Sequence, residues 1–129
     1  MSQTDVIANL ATVKEEIAMA ARTSGRAVDA VTLVAVSKIH DAGHIRPTLE
    51  AGHRVFGENR VQEAQGKWPG LKADFDGVEL HLIGPLQTNK ADDAVELFDV
   101  IESVDRLKLV NALARAMEKI GRRPACFIQ

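Results

Sequence analysis

Apolar side chains in this chain follow two different periods. Over residues 4–23, Val6, Leu10, Val13 and Ile17 recur at spacings of four, three and four, the stripe of a helix with one buried face. Ser2 or Thr4 is placed to cap its start and Gly25 to end it. VTLVAVSK (31–38) is instead β-branched and apolar at both parities, which predicts a strand buried on both sides. Short apolar runs of the same kind return at RVFGEN (54–59), LHLIG (80–84), FDVIESV (98–104) and ACFIQ (125–129). Helical stretches fall between them, at 44–52, 59–68 and 88–98. The clearest helix is 105–121, with Asp105 as its expected N-cap. Its apolar face is Leu109, Leu113, Ala116 and Ile120, and Gly121 and Pro124 mark its end.

Strands that alternate with helices predict an α/β fold whose sheet is parallel. The strands start roughly 20–25 residues apart, the length of one βα unit. No low-complexity linker interrupts them, so residues 1–129 read as one domain. WPGLKADFDG (68–77) is the loosest stretch and reads as a surface loop. The fifth strand has neither a covering helix nor a further strand for its free edge. This predicts part of a larger barrel, self-associating through that open edge.

Composition narrows the function classes. Apolar residues make up 46% and charged residues 26%, with a formal net charge of -2, so the basic surface of a nucleic-acid binder is not expected. No run approaches the roughly 18 apolar residues of a membrane span, and the N-terminus has no apolar signal core, which together predict a cytoplasmic protein. The single cysteine, Cys126, forms no intrachain disulfide and reads as an inert core residue.

Lys38 ends the first apolar strand, and the C-terminal ends of parallel strands carry the active sites of α/β folds. Alternation puts it on the face of Val34 and Val36. An amine rising from apolar surroundings is more often neutral and nucleophilic, although the pattern alone favours a lysine reaching into solvent. Asn59, at the end of the second strand, reads as a polar contact for a ligand or as a helix cap. Glu58 points the other way, towards a structural salt bridge. His81 lies among apolar residues and reads either as a pocket wall or as a core histidine with its hydrogen bonds met. Gly84 would allow close approach of a ligand, or simply turn the chain before Pro85. Gln87, Asn89 and Lys90 read as a loop and helix start, a solvated loop ahead of the alternative that they face a pocket mouth. His40 and His44 are four apart, but Gly43 intervenes and no third ligand is near, so no metal is expected.

Whole segments add a family resemblance. AVSK (35–38), VFGENRVQEAQGKW (55–68), ELHLIGPLQTNK (79–90) and IESVDR (101–106) occur in the order in which similar segments occur in the pyridoxal phosphate homeostasis proteins. The resemblance runs over essentially the whole chain, and FGEN-x-x-QE and H-x-IG-x-LQ-x-NK are its most specific parts. It implies an α/β fold of the alanine racemase N-terminal type, a partial (β/α)8 TIM barrel with about five parallel strands present. It also implies pyridoxal 5'-phosphate as cofactor, held by Lys38 as a Schiff base, with Asn59, His81 and Gly84 lining its pocket. The implied role is to carry or buffer the cofactor rather than to turn over a substrate. A racemase is the competing reading, but it needs a second acid–base group, a tyrosine in alanine racemases, and this sequence has none. In the family the phosphate is held by segments beyond those matched here. The chain is therefore expected to be truncated and to carry little cofactor.

Overall fold

The computed structural model describes residues 3–129, with side chains described from Asp5 onward. Helix α1 (Gln3–Thr23) precedes five strands: β1 (Ala35–Val36), β2 (Val55–Glu58), β3 (Glu79–Leu82), β4 (Val100–Val104) and β5 (Ala125–Ile128). Between them run α2 (Ala42–Glu50), α3 (Val61–Gln65), α4 (Trp68–Asp74), α5 (Ala91–Leu97) and α6 (Leu107–Ile120). All neighbouring strands pair in parallel, and their order in the sheet is their order in the chain. Successive crossovers of one hand, stepping always in one direction, place every connecting helix on the same face. That is the wall of a (β/α) barrel, here with five strands of it.

The register divides the strands into two faces. Ala35 pairs with Phe56 and Phe56 with Leu80, whereas Val36 pairs with Gly57 and Gly57 with His81. Phe56, Glu58, Leu80, Leu82, Ile101 and Ser103 are buried beneath the helices. Trp68 and Leu71 from α4, Val95 from α5, and Leu109, Leu113 and Ala116 from α6 complete this core. The other face, which would be the inside of a closed barrel, is open at the outer strands, where Val36 is 49% and Phe127 53% exposed, while Gly57, His81 and Val100 between them are buried.

One-sided cover explains where the sequence reading fails. A parallel strand is buried on both faces only when layers pack on both. The 31–38 strand shrinks to two residues, and Val31 and Val36 are exposed. Cys126 pairs with Ile101 on the helix side, yet on the edge strand β5 it too is exposed and not a core residue, although partial burial still pushes its thiol pKa up. The expected loop 68–77 contains a helix, α4. Pro69 in the first turn suits a helix start, and Trp68 and Leu71, three apart, are buried together.

Helix ends show smaller differences. Asp105 caps nothing: the residue at the start of α6 is Arg106, without a side-chain capping bond, and Asp105 instead accepts from Arg106 Nη1 at 2.6 Å. Gly121 ends α6 in the left-handed region, as expected. On α1, Val13 is exposed and the buried positions are Ala18 and Ala21. Ser2 lies outside the described residues, and Thr4 falls within α1 rather than ahead of it.

Candidate functional site

Three strand ends meet along one rim of the sheet. Lys38 stands two residues beyond β1, in a turn, with its side chain exposed. The residue after it, Ile39, has φ 62. A β-branched residue in that region costs about 1–3 kcal/mol and persists only where its surroundings hold it.

The surroundings are a buried polar cluster. Lys67 Nζ donates to the carbonyls of Ser37 and His40, each at 2.7 Å. The same ammonium lies 3.0 Å from Glu58 Oε2 and 3.3 Å from Glu63 Oε1. Glu63 also accepts from the Ile39 N–H, and this bond, followed by the nearby Lys67, holds its carboxyl below the ordinary carboxylate range. Fully buried Glu58 accepts from Ser37 Oγ and, at 3.1 Å, from Trp68 Nε1. The salt bridge expected of Glu58 is therefore present.

Asn59 follows β2 and is half-buried. It does not cap the next helix, because Arg60 holds that position. Its backbone runs directly beneath Gly84: a Cβ on Gly84 would sit 2.4 Å from the Asn59 carbonyl oxygen. The structural need for glycine at 84 is thus the close passage of two strand ends. Asn59, Arg60, Gln62, Gln87 and Lys90 line a cavity of about 590 Å³. Asn89, in the 3-10 turn Thr88–Lys90, is exposed.

His81 lies on the inner face but is only 6% exposed. Its Nδ1 is 2.8 Å from Glu102 Oε1 and its Nε2 3.1 Å from Glu79 Oε2, so both ring nitrogens have partners. His44 Nδ1 is 2.7 Å from Asp41, the cap of α2, and the His44 hydrogen bond lowers the Asp41 pKa. Among the described residues no three His, Cys, Asp or Glu side chains gather as metal ligands.

The structure brings Lys38, Asn59 and Gly84 to one rim and sets His81 deeper, on the inner face. Sequence reasoning missed Ser37, Glu63, Lys67 and Trp68. The Glu63–Lys67 pair had a readable signal, an i,i+4 ion pair on a helical stretch, but nothing local tells that both side chains reach across to the turn after β1.

Comparison with known proteins follows the same lines. Residues 8–129 match the family model described as alanine racemase, N-terminal domain. The pyridoxal phosphate homeostasis protein of Escherichia coli K12 is 42% identical over 110 residues, 84% of this chain and 47% of the relative. Its namesake in Pseudomonas aeruginosa is 44% identical over 106 residues, 82% of this chain and 45% of the relative. Among solved structures, PipY of Synechococcus elongatus PCC7942 with PLP bound superposes with a TM-score of 0.72 at 45% identity, over 85% of this chain and 52% of that one. An unknown protein from Bifidobacterium adolescentis reaches 0.89 at 31% identity, over 96% and 54%. The chain spans about half the length of the curated relatives it matches. With the family model extending from residue 8 to residue 129 over the parallel sheet described above, the chain belongs to the alanine racemase N-terminal domain family.

Proposed function

We propose that this chain binds pyridoxal 5'-phosphate and serves in its homeostasis in the cytoplasm, without catalytic turnover, and that Lys38 is the amine that holds the cofactor. The observation that carries the reading is the place of Lys38. It stands at the C-terminal rim of a parallel sheet, on a turn held by a dedicated buried cluster, beside an open inner face. Similarity to pyridoxal phosphate homeostasis proteins and to a structure with PLP bound supports it. So does the fact that no helix among the described residues is long and apolar enough to cross a membrane.

The residues present fit such a group. Gly57 keeps the inner face low between Val34 and Ile83, whose side chains a Cβ there would meet at 3.0 and 3.3 Å. Those two side chains close over Gly57 and make this part of the inner face apolar. When bound, the cofactor supplies an aldehyde that couples to a primary amine. Lys38 offers that amine, Asn59 a carboxamide donor and acceptor for the ring substituents, and Gly84 the close approach of the rim. His81, with both nitrogens engaged, contributes to the wall rather than a free polar contact.

Brief incubation with pyridoxal phosphate, borohydride reduction and peptide mapping test this. The pyridoxyl label is expected predominantly on Lys38. Lys38→Ala is expected to remove it while changing stability by less than about 0.5 kcal/mol, since the side chain is exposed. A label spread evenly over Lys14, Lys108 and Lys119 would reject the assignment.

Self-association through β5 belongs to the same proposal. Among the described residues that strand pairs only with β4, and Phe127 and Ile128 are exposed, a template for pairing with a second copy. Sedimentation should show mass rising with concentration. A monomer throughout the accessible range would remove this part of the reading.

A further inference from the structure

We infer that Lys67 and Glu63 are positioning residues, which grip the turn 37–40 and fix the backbone from which Lys38 projects. The inference rests on the reading of Lys38 as the cofactor amine and adds the residues that set its place. Three groups of the turn are held from α3 and the start of α4. Lys67 Nζ takes the carbonyls on either side of the Lys38–Ile39 pair, at 2.7 Å each. Glu63 takes the Ile39 N–H between them. An ammonium has three protons, and here two go to this one turn, leaving the third to be shared by Glu58 and Glu63. A cation needed only to neutralise Glu58 would not require both carbonyls.

The strain at Ile39 points the same way. Its φ of 62 is adopted by a β-branched side chain that is 84% exposed, so no packing of its own compensates. What keeps the residue there is the hydrogen bonding of the backbone around it. Ser37 Oγ, bound to Glu58, anchors the near end of the turn to β2. The turn is thereby tied to α3, α4 and β2, so its geometry is set before any ligand arrives.

The test uses the 129-residue chain and variants chosen to keep the fold. Glu63→Ala removes the Ile39 acceptor from a side chain that is 33% exposed, and Glu63→Gln retains an oxygen that accepts. Lys67→Met alone would strand a buried carboxylate, so it is made together with Glu58→Gln. Three quantities are read: exchange of the Ile39 amide, the share of pyridoxyl label on Lys38 after borohydride, and the thermal midpoint. Glu63→Ala is expected to speed Ile39 exchange by about tenfold. It is also expected to lower the Lys38 share about threefold, with the midpoint unchanged. Glu63→Gln should restore both readouts, and the Lys67→Met/Glu58→Gln pair should lose both. Wild-type exchange and labelling in Glu63→Ala would overturn the inference, and so would losses that merely track a falling midpoint. Should wild-type label spread over surface lysines, the cofactor reading fails, and Ile39 exchange in the same variants alone decides whether the grip exists.

Discussion

Trp68→Ala is expected to move the unfolding transition to much lower urea. Trp68 is the sole tryptophan and is fully buried. Its ring lies 5.0 Å from that of Phe56, wedged between α4 and the covered face of the sheet. Truncating a buried aromatic of this size costs about 3–5 kcal/mol, against a total stability of about 5–15 kcal/mol for an ordinary domain. The change also removes the indole N–H from Glu58, whose other carboxylate oxygen already has no partner. Losing a donor to a buried charged group adds about 1–3 kcal/mol. Trp68→Phe separates the two contributions, because it keeps most of the apolar volume and loses only the donor. Urea unfolding followed by circular dichroism measures both. A loss below about 1.5 kcal/mol in Trp68→Ala would mean that α4 is not an integral part of the core.

Gly84→Ala gives the second large effect. The added methyl would stand 2.4, 2.9 and 3.0 Å from the carbonyl oxygen, Cα and carbonyl carbon of Asn59. These are backbone atoms, so no side chain can rotate away and the ends of β2 and β3 must part. Overpacking costs about 1–3 kcal/mol where side chains give way, and here the cost lies at the upper end or beyond. Gly84 is not among the glycines of positive φ, so the penalty is contact rather than torsion. Gly57→Ala is the control: its contacts are with the Val34 and Ile83 side chains, at 3.0–3.4 Å, and these can shift. Gly84→Ala should lower the unfolding midpoint well below that of Gly57→Ala and reduce labelling of Lys38 as the rim is displaced. Equal midpoints would show that the β2–β3 gap opens at little cost.

Much of the architecture was legible because it is written locally. The face of α6 at Leu109, Leu113 and Ala116 is buried as its spacing predicts, and the alternation of strands and helices yields the parallel sheet. Lys38 was legible as a lysine at a strand end, and segment resemblance singled it out. The polar cluster was not legible. Glu58, Lys67 and Trp68 meet Ser37 only because β1 and β2 lie side by side, a fact of the fold rather than of any window. The left-handed Ile39 runs against its own β-branched preference, and no sequence rule places such a residue there. Residues 68–77 read as a loop because Pro69, Gly70 and Gly77 outweighed the spacing of Trp68 and Leu71.

The open inner face has a consequence for how this protein can change. A strand shows its residues alternately to two sides, so neighbouring letters of β2 serve different ends. Phe56 and Glu58 lie in the core beneath the helices, while Gly57 leaves room on the opposite face for the Val34 and Ile83 side chains. Substitutions at the odd positions of this strand can therefore reshape the inner face while the helices stay seated. A one-residue slip of the strand would exchange the two roles entirely. It would turn the buried Glu58 carboxylate out of the core and Gly57 into it, so pairing register fixes the roles of both faces at once.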